Sequence, residues 1–270
     1  RLGFRHWQNA VFNYSGSAMT RSRFLTFVTC VSIALPVLSV GAQNGGPPGL
    51  PEKPKNLKVL PKDIPMRALL DTMGTFTRAL GVNCSFCHMA GEEGPRDFAS
   101  DQKPNKDKAR TMLRMVEAIN GEYLPKLSSR LEPRVVVTCA TCHRGVSEPR
   151  PLEQVILTRY DSAGTDSAIA LYRELRQRYY GRASYDFGDV PLGVVGQDLS
   201  HQNHLADALR FYQLNLEYLP NSAPAWSQLA GGQLMSGDTA AAIQSFQKAL
   251  ALDPHDRQAS RALQMLKPKP

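Results

Sequence analysis

Two five-residue runs carry the chemistry of this chain: Cys84-Ser85-Phe86-Cys87-His88 and Cys139-Ala140-Thr141-Cys142-His143. Two thiols three positions apart, with an imidazole directly after the second, suit the covalent attachment of c-type haem. The thiols add across the two vinyl groups of a porphyrin, and the histidine turns back to ligate the iron. The pattern occurs twice and uses four of the five cysteines. It predicts two covalently bound haem c groups, attached through Cys84, Cys87, Cys139 and Cys142, with His88 and His143 as proximal iron ligands. Other uses of Cys-x-x-Cys fit less well. A thioredoxin-like dithiol belongs after a strand in an α/β pattern, and neither copy sits in one. A four-thiol zinc site leaves both histidines without a purpose. A disulfide within Cys-x-x-Cys closes too little chain to be a useful staple.

Haem iron needs a sixth ligand or an open position, and the elements upstream of each motif must supply it. After Pro65, the residues Met66, Leu69, Leu70, Met73, Phe76, Thr77 and Leu80 recur at helical spacing, and Gly81 ends the run. A Gly- and charge-rich loop follows at 91–104. A second helix is predicted from about Lys106 to Asn120, with Met112, Met115, Val116 and Ile119 on one face. Residues 121–134 read as an irregular connection, and Val135-Val136-Val137 as a short strand leading into the second motif. The chain thus repeats helix, connection and haem motif. For the first haem the candidates are Met66, Met73 and Met89. Met89 directly follows the proximal histidine and lies on the wrong side of the ring, whereas the helix carrying Met73 can fold over the distal face. For the second haem Met112 and Met115 are three apart, and spacing does not separate them. Methionine on an apolar helix face is more often core filler than ligand.

The surroundings point outside the cytoplasm. The 270 residues carry a formal charge of +8. Residues 1–42 contain Arg1, Arg5, Arg21 and Arg23 and no acid, so setting them aside lowers +8 to +4. Haem propionates would offset the remainder, which removes the case for nucleic acid. Residues 19–42 read as a secretory signal: Met19 as a start, Arg21 and Arg23 as the charged end, Phe24 to Val40 as the apolar stretch, and Val40-Gly41-Ala42 as the cleavage site. Residues 1–18 then form an upstream extension. An uncleaved membrane anchor is the alternative, disfavoured by Pro36. Cys30 falls within the signal. A periplasmic or extracytoplasmic location agrees with c-type haem attachment.

Residues 43–54 read as a Gly/Pro linker, 55–151 as the dihaem domain and 152–165 as a second linker. From 166 to 270 the chain is predicted helical. Within it, 223–256 match the tetratricopeptide pattern through Trp226, Ala230, Gly237, Ala242, Phe246, Ala249 and Pro254. The preceding 34 residues match weakly through Ala208, Tyr212 and Pro220. Residues 257–266 would form a capping helix. The expected fold class is mainly α: a small haem-packed c-type cytochrome domain, then a tetratricopeptide-like helical domain. His201 and His204, three apart near a helix start, read as exposed polar residues.

Several stretches together resemble the cytochrome c subunit family of photosynthetic reaction centres. They are Asn56-Leu57-Lys58-Val59-Leu60-Pro61, Leu80 to His88, Ala109 to Met115 with Asn120, and Val137 to Gly145. The resemblance covers about 55–150. It implies a methionine ligand on each haem helix: Met73 for the first haem and Met112, rather than Met115, for the second. It departs from the best-known members, which bind four haems in two tandem halves. A histidine that serves a further haem there is absent, and Lys126 stands near its place. The connection before Cys139 is a few residues longer than usual, and the tetratricopeptide-like tail is not part of the photosynthetic subunit. Fold and ligands are therefore implied, and a photosynthetic role is not.

The expected function is an exported dihaem carrier of single electrons, not an enzyme. Redox partner proteins would dock through residues 166–270, and a membrane-associated partner complex is compatible with export. Two other classes compete. One is a haem-bearing adaptor or sensor that holds partners through the tetratricopeptide-like region. The other is a dihaem peroxidase, which requires an open distal side on one haem.

Overall fold

A computed structural model describes residues 53–89, 97–127 and 135–266. The expected upstream extension, the signal sequence and most of the first linker lie outside the described residues. The chain divides into two units, one ending at Ser147 and one beginning at Glu148. The described residues are mainly helical and contain no strand.

In the first unit, helix α1 (Met66–Leu80) starts directly after Pro65. It ends at Gly81, whose left-handed φ of 64° lets its N–H and that of Val82 return to the Thr77 carbonyl. Gly81 is required twice over, because a Cβ there would stand 2.0 Å from the Gly145 carbonyl oxygen. Helix α2 (Asn105–Ala118) runs on into a wider π turn (Ile119–Tyr123) and a 3₁₀ turn (Leu124–Lys126). The short helix α3 (Cys139–His143) is the second haem motif itself, and it packs against α1.

Charge ties the outer loops of this unit to α2. The Asp101 carboxylate accepts from Arg110 at 2.8 Å and Lys58 at 2.7 Å, with Lys106 at 3.5 Å. Arg110, chiefly, holds that carboxyl far below the usual range. Arg110 is buried and also bonds Asp107. Asn56 donates to the Ala99 carbonyl, so the Asn56-Leu57-Lys58 segment is held by the same loop.

The second unit is built from helix α4 (Leu152–Tyr179), then α5 (Asp189–His201), α6 (Leu205–Tyr218), α7 (Ala223–Met235), α8 (Thr239–Leu252) and α9 (Arg257–Leu266). Successive helices pack as pairs. The helix pair α7–α8 places the tetratricopeptide positions in its core: Ala230, Ala242, Phe246 and Ala249 are all buried. The weaker copy obeys the same plan. Ala208 and Tyr212, 34 positions before Ala242 and Phe246, are buried as well. The turn between paired helices also recurs: Asn203 (φ 67°) stands where Gly237 (φ 87°) stands one repeat later. In each, the next residue's N–H reaches back five residues, His204 to Leu199 and Asp238 to Gln233. Tyr212 binds the two pairs together, its ring lying where a Cβ on Gly196 or Gly232 would stand, 2.4 and 2.7 Å away.

Two expectations need correction. The valine run forms no strand; among the described residues it has no second strand to join. Most of the expected linker 152–165 is helix. Leu152 and Ile156 bury in the core of the second unit, and that gain outweighs the turn-like Asp161-Ser162-Ala163-Gly164. The turn signal survives as a kink at Gly164 (φ 76°, ψ 179°). Asp207 fastens the kink from α6, since Tyr160 and Thr165, on either side of it, both donate to the Asp207 carboxylate. The Tyr160 oxygen is then left to accept from His204 Nδ1 at 2.5 Å.

Candidate functional site

Both haem motifs are turns that bring two thiols to one edge. In the first, Cys84–Phe86 forms a 3₁₀ turn closed by Cys87 N–H to the Cys84 carbonyl, and residues three apart eclipse in such a turn. In the second, Cys139 and Cys142 are i and i+3 on α3, about 60° apart around its axis. The intervening residues of that motif cap their own helix: Thr138 N–H donates to Thr141 Oγ1 at 2.9 Å in a capping box. None of these four cysteines is joined in a disulfide. Burial pushes the Cys139 thiol up. It does the same for Cys87, against the pull of the nearby Lys103 and Lys106 ammonium groups.

The His143 ring is held from one side. Its Nδ1 lies 3.0 Å from the Val146 carbonyl, which can only accept, so Nδ1 carries the proton and Nε2 keeps its lone pair for a metal. The Val146 N–H returns to the His143 carbonyl, and Gly145 N–H donates to the Ala79 carbonyl at the end of α1. His88 packs edge-on against Phe98, ring centres 5.2 Å apart.

Helix α2 grips both motifs. At its start, Lys103 Nζ donates to the Ser85 carbonyl and Asn105 Nδ2 to the Phe86 carbonyl at 3.1 Å. These contacts reach the two intervening residues of the first motif, beside an open cleft of about 630 Å³ lined by Gly81, Asn83, Phe86 and Pro104. Just past its end, the Asn120 side chain bonds both backbone groups of Val137, donating to the carbonyl at 2.7 Å and accepting from the N–H at 2.8 Å. Asn120 does for Val137 what a neighbouring strand would do.

Met73 is half-buried on α1, in the run that leads to the first motif. Met66 is half-buried on the same helix. Met112 and Met115 on α2 are exposed at 42% and 45%, so burial does not separate them either. Lys103, Asn105 and the Val146 carbonyl had no sequence signal. Asn120 was marked by the resemblance alone.

The residues present fit porphyrins. Among the described residues of the first unit, only Ile64, Ala79, Val116 and Val146 are buried apolar side chains, while Phe86, Met112, Met115, Tyr123, Leu127, Val135 and Val136 stand exposed. Such a unit needs large apolar groups to complete its core, and two thiol-bearing turns beside those side chains offer the attachment points. No three His, Cys, Asp or Glu side chains gather as a metal cluster among the described residues.

Two thiol-bearing turns, each followed by a histidine, stand in a mainly helical frame. Comparison with known proteins narrows the class: residues 55–171 match the family described as photosynthetic reaction centre cytochrome C subunit. Among curated relatives, cytochrome c-554 of Chloroflexus aurantiacus is 41% identical over 75 residues, covering 28% of this chain and 16% of the relative. The photosynthetic reaction center cytochrome c subunit of Rubrivivax gelatinosus is 33% identical over 82 residues, covering 27% and 22%. That of Thermochromatium tepidum is 31% identical over 117 residues, covering 43% and 26%. The chain thus spans about a quarter or less of the length of these relatives. Residues 55–171 are thus similar to the reaction-centre cytochrome c subunit family. Among solved structures, the first TPR of Spaghetti (RPAP3) bound to an HSP90 peptide aligns with 43% of this chain and 86% of its own, at 16% identity and a TM-score of 0.30. The second TPR domain of human RPAP3 with an HSP70 peptide aligns with 44% and 93%, at 16% identity and a TM-score of 0.31. No helix among the described residues is long and apolar enough to cross a membrane.

Proposed function

We propose that this chain is an exported dihaem c-type cytochrome that carries single electrons between redox partners. One observation carries the reading: the first unit holds two thiol-bearing turns and leaves the apolar side chains around them uncovered. Haem, when bound, supplies a one-electron couple. The chain's own residues do the rest. Cys84 and Cys87, and Cys139 and Cys142, fix the two rings covalently. His88 and His143 are the proximal ligands, and the Val146 carbonyl holds the His143 ring in the tautomer that ligates through Nε2. Met73 and Met112 are the distal ligands, with Met115 as the alternative to Met112. Methionine and histidine together would raise the potential of a bound haem, which suits electron transfer. The second unit is where redox partners dock; it exposes Val190, Val194, Met235 and Met265 on its helices.

Potentiometric titration with absorption spectra tests the reading, with two haems and two one-electron steps expected. A purified chain with one haem or none would sink it. Met73→Ala should convert one haem to a high-spin form, and an unchanged spectrum rejects Met73. The same measurement on Met112→Ala and Met115→Ala decides between those two.

A further inference from the structure

The helix that carries Met112 and Met115 is fastened at both ends to the haem motifs, through Lys103 and Asn105 to the first and through Asn120 to the second. The two fastenings differ in kind. At the first motif the side chains hold carbonyls inside the turn. At the second, Asn120 holds both backbone groups of Val137, the residue before the Thr138 cap of α3. From Val137 the path is short and stiff. Thr138 caps the turn that carries Cys139 and Cys142, and His143 closes it with its ring tied to Val146. Asn120 itself sits in the π turn, five positions after Met115 on the same helical run. A single side chain therefore joins the methionine-bearing helix to the histidine-bearing one.

We infer that Asn120 is a positioning residue for the second iron, fixing where His143 stands relative to the methionine on α2. The inference rests on the dihaem reading above. Asn120 touches neither haem nor iron in this role; it acts by clamping Val137. A free Val137 would let α3 shift against α2. The residues that would hold the second iron would then no longer be fixed relative to one another, and its potential would move. The first motif keeps its own clamps, Lys103 and Asn105, so the larger change is expected at the second.

The test uses the full haem-loaded chain. The titration step that changes in Met73→Ala belongs to the first haem, which assigns the other to the second. Asn120→Ala should move the second step about tenfold in its reduction equilibrium, about 59 mV for one electron. It should also let carbon monoxide bind the second ferrous haem while the first step stays in place. Asn120→Asp keeps an acceptor for Val137 N–H and loses the donor, so a smaller shift is expected. Asn105→Ala should do the reverse, moving the first step and sparing the second. Both steps unmoved in Asn120→Ala, or both moved alike together with a lower melting temperature, would overturn the inference. If Asn120→Ala does not load haem, Asn120→Asp decides, and an unmoved second step there also overturns it. Fewer than two haems in the wild-type chain, read before any variant, would overturn the dihaem reading and this inference with it.

Discussion

The two units solve the problem of stability in opposite ways. The second closes on itself: Tyr172, Phe211 and Leu199 sit in one core, Phe246 and a set of alanines in another, and the same turn recurs one repeat apart. The first has four buried apolar side chains among its described residues and a surface of uncovered ones. What holds it is polar, in the Asp101 network, the Asn120 clamp and the grip of Lys103 and Asn105 on a turn. Polar clamps fix geometry well and contribute little net free energy each. Such a unit is organised to receive large groups, whereas the repeat unit needs none.

Removing the haems is the hardest test of that contrast. With Cys84, Cys87, Cys139 and Cys142 all changed to alanine, hydrogen exchange should show lost protection in α1 and α2 and unchanged protection from α5 to α8. Equal protection in both units without haem would break the comparison. Phe246→Ala probes the other side. The residue is 2% exposed, and its loss should cost about 3–5 kcal/mol. Denaturant unfolding followed by far-UV signal would show this, with the haem spectrum untouched; a haem spectrum that changed with it would contradict independent cores.

Asn203→Ala should cost about 1 kcal/mol, since alanine resists the left-handed backbone, while Asn203→Gly should stay within about 0.5 kcal/mol. Thermal melts of the two variants would separate turn conformation from side-chain bonding. Equal losses in both would show that the Asn203 side chain, rather than its backbone, matters. The smallest effect is confined to alkali. Burial, with the Asp207 carboxylate beside it, pushes the Tyr160 phenol up to about 12 from an ordinary 10. The folded state then holds a proton that the unfolded state has lost, so stability is full below pH 10 and falls as pH rises toward 12. Tyr160→Phe should flatten that alkaline limb, and pH-dependent melts would reveal an unflattened one.

Much of this was legible because period and punctuation agree with packing. The helix after Pro65 runs from Met66 to Leu80 as its apolar spacing requires, and Gly81 stops it. The tetratricopeptide positions were readable because each small residue faces a neighbouring helix. The linker at 152–165 misled because Asp161-Ser162-Ala163-Gly164 is a true turn signal whose effect is local; Leu152 and Ile156 on one side carry the helix through. The valine run misled because β-branched residues report only that backbone is extended. Val137 is paired by the side chain of Asn120, 17 positions earlier, and no pattern in a single sequence announces that. The same limit hid Lys103 and Asn105. The choice between Met112 and Met115 rests on the resemblance, and equal exposure leaves it to the spectra.

The Asn120–Val137 clamp has a consequence for how such a chain can vary. Two hydrogen bonds join Asn120 to Val137, so the sequence between them closes a loop. Growth or shortening of that stretch changes only its closure entropy, which rises slowly with length. The longer connection noted before Cys139 is then cheap. Insertions there leave in place both the Asn120–Val137 pairing and the Gly145–Ala79 bond that seats α3 on α1. A loop closed at its neck can drift in length while the two thiol-bearing turns keep their places.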